Sequence, residues 1–125
     1  MLKHILHTGV AVPDLDKAIK LYQSLGFGIT KQFHKDDINA DVAMLIKGEA
    51  TYELFQFYNP DHPQVEFIRS HIAIYSDSLE QDIDMLLSQG YKLVIPITEG
   101  VIFRFAYVQD SVGINYEIAT EKFTS

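Results

Sequence analysis

The sequence predicts an α+β fold made of two repeated β-α-β-β-β modules. Three observations predict it. The chain matches itself at a shift of 64 residues: the run from His7 to Phe27 lies over the run from His71 to Tyr91 without a gap, Leu15 meeting Leu79, Ile19 meeting Ile83, Ser24 meeting Ser88 and Gly26 meeting Gly90. The same shift puts Tyr52-Glu53-Leu54 over Tyr116-Glu117-Ile118, so that each His is followed by a Glu at the same interval of 46 residues. Within each copy, apolar residues alternate, then recur at helical spacing, then alternate again.

The elements follow in order. Residues Ile5–Val12 read as a strand with Leu6, Val10 and Val12 on one face and His7, Gly9 and Ala11 on the other. In the matching strand, Ser70–Ser76, Ile72 and Ile74 oppose His71, Ala73 and Tyr75. Each His thus leaves the greasy side of its strand and sits among small neighbours. A helix comes next in each module, carried by Leu15, Ala18, Ile19, Tyr22 and Leu25, and by Leu79, Ile83, Leu86 and Leu87. Asp14 and Ser78 are the expected N-caps, Ser78 with Gln81 as a capping box. Gly26 and Gly90 stand where a helix end calls for positive φ. Three strands complete each module: Phe27–Phe33, Ala40–Ile46 and Ala50–Phe57 in the first, Tyr91–Ile95, Val101–Gln109 and Ile114–Thr120 in the second. The boundaries are residues 1–57, a linker at 58–66 holding Pro60 and Pro63, and residues 67–125, in all one domain.

Composition narrows the chemistry. With 125 residues, 47% of them hydrophobic, the chain can bury the core of one domain. It has no cysteine, so disulfides and thiolate metal sites are excluded and a metal must be held by nitrogen and oxygen. The net charge of −7 with no basic stripe argues against nucleic acid as a partner. The N-terminal run breaks its apolar residues with Lys3 and His4, unlike a secretory signal, and no stretch is apolar for long enough to span a membrane. The expectations are a cytoplasmic address and no membrane partner.

Pairing of the first and last strand of a module would bring His7 beside Glu53 and His71 beside Glu117. A carboxylate on the interior face of a sheet is costly unless something positive neutralises it, and two together repel. A divalent cation removes both problems. Nitrogen and oxygen donors of intermediate hardness suit Ni, Zn, Co, Mn or Fe, one ion per site. His4, an odd number of residues from His7, and His34 and His62, in loop or strand-end positions, are expected to be exposed or locally hydrogen-bonded.

Paired β-α-β-β-β modules with His…Glu…His…Glu in this order resemble the vicinal oxygen chelate superfamily, and within it glyoxalase I. The segments that carry the resemblance are His7 to Leu15, Tyr52-Glu53-Leu54, His71-Ile72-Ala73-Ile74, and Asp110-Ser111-Val112-Gly113 leading to Tyr116-Glu117-Ile118. Gly113 and Glu117 keep the family's spacing between glycine and ligand, although Ser111-Val112 replaces its usual Pro-Asp.

The resemblance implies that the two modules form a curled mixed β-sheet enclosing a cleft, with His7, Glu53, His71 and Glu117 as the metal ligands. It implies a lactoylglutathione lyase-like lyase or isomerase, in which metal-assisted proton transfer next to a carbonyl passes through an enediolate. Glu53 and Glu117 would act as ligands and proton carriers, Glu117 being favoured as the mobile base. A small-molecule substrate and a homodimer follow from the same resemblance. Ala11 stands where bacterial glyoxalase I proteins carry an arginine, and Phe57 where they carry an asparagine, which argues against glutathione recognition. The expected pocket is aromatic: Phe55, Phe57, Tyr75 and one face of Phe103, Phe105 and Tyr107, with Arg69 and Arg104 to meet an anionic group. The alternatives are a metal-free or metal-bound antibiotic-binding or resistance protein of the bleomycin-resistance kind, an epimerase, or a dioxygenase relative.

Overall fold

Alternating apolar residues and two amphipathic helices produce the elements that the sequence anticipates. The computed structural model describes residues 1–121. Among them the order is β1 (Leu2–Ala11), α1 (Leu15–Ser24), β2 (Gly28–Lys35), β3 (Ala40–Lys47), β4 (Ala50–Phe57), α2 (Val65–Ile68), β5 (Ser70–Ser76), α3 (Leu79–Ser88), β6 (Lys92–Glu99), β7 (Phe103–Gln109) and β8 (Asn115–Glu121). The fold is the expected α+β one, with both parallel and antiparallel strand pairs. The chain divides into two compact units, His7–Ser70 and Met1–Leu6 with His71–Ser125.

In the unit His7–Ser70 the strands run β2-β3-β4-β1. The β2, β3 and β4 strands form an antiparallel meander, while β1 lies parallel to β4 with Gly9 opposite Glu53, Val10 opposite Leu54 and Ala11 opposite Phe55. Parallel neighbours need a crossover connection, and α1 begins it. The inward stripe of α1, Leu15 and Ile19, packs with Ala43, Leu45 and Leu54, and Val10, Val12, Tyr22, Phe27 and Tyr52 close around this core. Because side chains alternate along a strand, Leu54 under the helix obliges Glu53 and Phe55 to face the other way.

The second unit repeats the arrangement. Its strands run β5-β8-β7-β6, with β5 parallel to β8, Ala73 opposite Glu117 and Ile74 opposite Ile118. Leu79, Ile83 and Leu86 of α3 pack on Ala106, Val108 and Ile118, so Ile118 does here what Leu54 does in the first unit. The first half of β1 belongs with this unit: Leu2 packs against its core and His4 stacks on Tyr75 at 5.4 Å.

Helix ends follow local chemistry. The Asp14 carboxylate accepts from the Lys17 N–H at 3.1 Å, capping α1. Gly26 and Gly90 have φ of 98° and 97° and follow the C-caps of α1 and α3. The expected capping box at Ser78 does not form. No side-chain cap bond is made there, because the Ser78 hydroxyl accepts from the Met1 ammonium, which is also drawn in by Asp77 at 2.8 Å and Asp82 at 3.0 Å. The two caps are therefore unequal. Asp14→Ala should lower stability in urea denaturation by about 1 kcal/mol, the usual loss for a working N-cap.

Several boundaries depart from expectation: β1 begins at Leu2 rather than Ile5, β2 runs on to Lys35 rather than Phe33, and β7 begins at Phe103 rather than Val101. The β6 strand continues past Pro96 to Glu99, where the sequence suggested a stop at Ile95. An edge strand tolerates a proline whose missing N–H points away from the ladder, and the register slips on both sides of Ile95 absorb the irregularity. A one-turn helix, α2, straddles the expected boundary between the linker and the second module and buries Val65 and Ile68. A single turn is too short to leave a periodic signal.

Candidate active site

The parallel pairing of first and last strands assembles a His–Glu pair in each unit. In the first, Nε2 of His7 lies 3.1 Å from Oε1 of Glu53. In the second, Nε2 of His71 lies 3.2 Å from Oε1 of Glu117. The same nitrogen meets the same oxygen at nearly the same distance, as the sequence repeat requires. All four residues are buried, with 2% and 7% of His7 and Glu53 exposed, and 3% and 4% of His71 and Glu117.

Burying a carboxylate costs several kcal/mol, as an order of magnitude, unless positive charge and hydrogen bonds offset it. Imidazole is neutral or cationic as the setting demands, so a His–Glu pair suits either a proton or a metal ion between its members. Each of His7, Glu53, His71 and Glu117 offers one ligand atom, and together they are a His/Glu group that could hold a metal ion. The donor chemistry fits a divalent transition metal, since every donor is a nitrogen or an oxygen.

The turn before β8 explains how Glu117 is aimed. Asp110 accepts from the N–H groups of Val112 (3.0 Å) and Ile114 (2.9 Å) and from the Tyr116 hydroxyl (3.0 Å). The bond from Ile114, foremost among these contacts, holds its carboxyl below the usual range. Gly113 supplies φ of 92°. The Asp-Ser-Val-Gly segment thus keeps the work of a tight turn that sets the register of β8, without the proline usual in such turns.

Aromatic side chains lie along the strand faces that carry the pairs. Phe55 is buried and stacks on Phe57 at 5.5 Å with planes 7° apart, two residues and four residues beyond Glu53 and on its face of β4. Phe105 meets the edge of Tyr107 at 5.7 Å. Phe103, opposite Glu121, is half-buried. Tyr75, at the end of the His71 face of β5, stacks on His4.

Arg104 lies elsewhere. It alternates with Phe103 and Phe105, and its guanidinium is gripped by both oxygens of Glu80 (3.0 and 2.6 Å) and by Glu99 (3.2 Å). The Arg104 bond holds the Glu80 carboxyl down to about 2. Arg104 is thus a cation shared by two carboxylates on the strand face opposite that of Phe103 and Phe105.

Sequence reading missed the place of the Tyr107 hydroxyl. It lies 3.4 Å from Nε2 of His71 and 3.4 Å from Oε1 of Glu117, and the Tyr107 ring stands edge-on to the His71 ring at 5.0 Å. Hairpin register, with Tyr107 directly opposite Glu117, is the signal that would have found it. The other histidines behave as local groups: His34 bonds Asp41 at 2.8 Å, with Tyr58 donating to the same carboxylate, and His62 accepts from the Gln64 N–H at 3.2 Å.

Two β-α-β-β-β units, each placing a buried His–Glu pair on its parallel strands, define a class of proteins whose chemistry lies between imidazoles and carboxylates. The chain belongs to the Glyoxalase/Bleomycin resistance protein/Dioxygenase superfamily, whose model matches residues 4–118. Among solved structures it resembles the methylmalonyl-CoA epimerase of Mycobacterium tuberculosis, with 23% identity, a TM-score of 0.82, and 98% of this chain and 90% of that one covered. A variant of the Streptomyces coelicolor methylmalonyl-CoA epimerase in complex with 2-nitronate-propionyl-CoA gives 21% identity, a TM-score of 0.83, and 98% and 100% coverage. A hypothetical protein from Bacillus halodurans gives 22% identity, a TM-score of 0.76, and 100% and 96% coverage. No curated protein matches the chain. No helix among the described residues is long and apolar enough to cross a membrane.

Proposed function

We propose that this chain is a metal-dependent enzyme that moves a proton on a carbon next to a carbonyl, in the manner of an epimerase. The observation that carries the proposal is the repeated buried His–Glu pair, His7 with Glu53 and His71 with Glu117. Two carboxylates are buried against imidazoles in a chain without cysteine, a donor set suited to one divalent ion of Ni, Zn, Co, Mn or Fe.

His7, Glu53, His71 and Glu117 would hold the ion. When bound, it would polarise a carbonyl oxygen and stabilise the negative charge of an enediolate. The protein's own groups do the rest. The Glu53 and Glu117 carboxylates take a proton from the substrate carbon and return it, a role that suits oxygens held at close range in a desolvated setting. In this reading the aromatic surfaces of Phe55 and Phe57 in one unit, and of Tyr75, Phe103 and Phe105 in the other, would keep water from the deprotonated carbon. In the broader sense the whole chain acts as one domain, as a cytoplasmic homodimer.

An epimerase is favoured over a lactoylglutathione lyase on two grounds. Methylmalonyl-CoA epimerases are among the structures that it resembles, and one of them holds 2-nitronate-propionyl-CoA. Ala11 and Phe57 offer no polar group where glutathione recognition calls for one. A thioester with an acidic proton between two carbonyl groups is therefore the first substrate to try. Protein loaded with Co, Ni, Mn or Zn and given methylmalonyl-CoA in deuterium oxide is expected to wash the α-proton out, read by mass spectrometry, and chelator should stop it. Turnover of methylglyoxal with glutathione, with no exchange into the thioester, would instead place the chain among the lyases.

A further inference from the structure

The turn that joins β6 to β7 lies against an aromatic ring. The Gly100 N–H donates to the Phe103 carbonyl at 2.8 Å, which leaves Val101 and Ile102 at the tip. A Cβ placed on Gly100 would stand 2.7 Å from that same oxygen, 2.8 Å from Cε1 of Phe105 and 3.1 Å from its Cδ1. Carbon atoms in ordinary contact keep about 3.5–4.0 Å. Phe105 in turn meets Tyr107 edge-on at 5.7 Å, and Tyr107 meets His71 edge-on at 5.0 Å. We propose that Gly100 is a positioning residue for the second His–Glu pair: its bare Cα seats the turn on Phe105, and Phe105 and Tyr107 carry that position to His71 and Glu117. The consequence for a bound metal rests on the metal-dependent reading above; the packing does not.

Phe105 and Tyr107 are buried, at 4% and 3% exposure, so an overlap at Phe105 is not relieved by a swing into water. A close-packed interior answers an added methyl group by shifting its neighbours. The far end of this column is its most sensitive part. The Tyr107 hydroxyl is 3.4 Å from both Nε2 of His71 and Oε1 of Glu117, near the limit of hydrogen bonding, where a small shift makes or breaks the contact. Strand register shows the column to be a property of β7 rather than of the repeat. In the second unit Phe105 stands opposite Ala119 and Tyr107 opposite Glu117. At the matching places the first unit has Val42 opposite Phe55 and Met44 opposite Glu53.

Nuclear magnetic resonance of the full, metal-free chain tests this without substrate. The Tyr107 ring current acts on the His71 ring, so the carbon-bound protons of His71 report their contact. Gly100→Ala is expected to move these signals. Gly48→Ala, between β3 and β4, strains a backbone of φ 58° but meets nothing within 4 Å, and should leave them in place. In Gly100→Ala/Phe105→Leu protein the smaller side chain gives room, and the signals should match those of Phe105→Leu alone. With Co2+ added, Gly100→Ala should shift the visible absorption and weaken affinity by about tenfold, the lower end of what losing an outer partner costs a metal site. Unmoved His71 signals or an unmoved cobalt absorption in Gly100→Ala protein overturn the proposal. So does a double variant whose shifts are the sum of the single ones, since the effect would then bypass the ring. Should Gly100→Ala fail to fold, Phe105→Leu alone must move the His71 signals, and an unchanged spectrum again overturns it. Moved signals in a protein that takes up no cobalt uphold the packing and overturn the metal reading.

Discussion

Purified without chelators, the wild-type protein should carry about one transition metal per chain, and His71→Ala or Glu117→Ala should reduce this to a trace. Loss of a partner that only orients a ligand costs about 10- to 100-fold in metal affinity, so loss of a ligand itself should cost at least about a hundredfold. Elemental mass spectrometry reads the content directly. The same substitutions should uncouple the metal from stability. An ion held only by the folded state, at a hundred times its dissociation constant, adds about 2.7 kcal/mol to the stability of the fold. Adding metal should therefore raise the thermal midpoint of wild-type protein and not that of either variant. His7→Ala and Glu53→Ala should behave alike, because their half-site has the same Nε2–Oε1 geometry, at 3.1 Å against 3.2 Å. Unchanged metal content and stability in His71→Ala and Glu117→Ala would mean that the four residues are not the ligands.

The second large effect is expected beneath the site. Leu54 and Ile118 sit next to Glu53 and Glu117 in sequence but on the opposite face, under α1 and α3, with 0% and 1% of their surface exposed. Each holds the strand whose other side carries the carboxylate. Leu54→Ala and Ile118→Ala should each cost about 2–5 kcal/mol in urea unfolding, the range for emptying a close-packed site. That is a large part of the ~5–15 kcal/mol that a domain has in total. Because the two residues occupy equivalent places in the repeat, the losses should be similar, and Ile118→Val should cost only about 0.5–1.5 kcal/mol. An Ile118→Ala protein as stable as wild type would mean that the α3 core does not anchor β8.

Much of this was legible in the residues because the fold is written twice. A strand followed by a helix with a glycine stop leaves a signal of two periods, and repetition at a shift of 64 residues marks which positions are equivalent. The bounds of β4 and β5 were anticipated to the residue, since turn-forming residues flank them: Gly48 before Ala50, Asn59 and Pro60 after Phe57, Asp77 after Ser76. What failed was of another kind. Ser78 looked like a capping residue, but the Met1 ammonium reaches it from the far end of β1, a partner that no local pattern contains. Pro96 looked like a strand end, but β6 lies at the edge of its unit, where a missing N–H is harmless.

By itself, then, the sequence determined the alternation of faces, the helix ends, and the pairing of each His with the Glu of its own module, all of which follow from steric periods and repeat spacing along one chain. Only the tertiary structure decided what stands across from each residue on a neighbouring strand. Arg104 was taken up by Glu80 and Glu99, and the Tyr107 hydroxyl was set between His71 and Glu117. The physical reason is range. Steric and hydrophobic periodicity act over a few consecutive residues, whereas Arg104 meets Glu80 across 24 positions and Tyr107 meets His71 across 36.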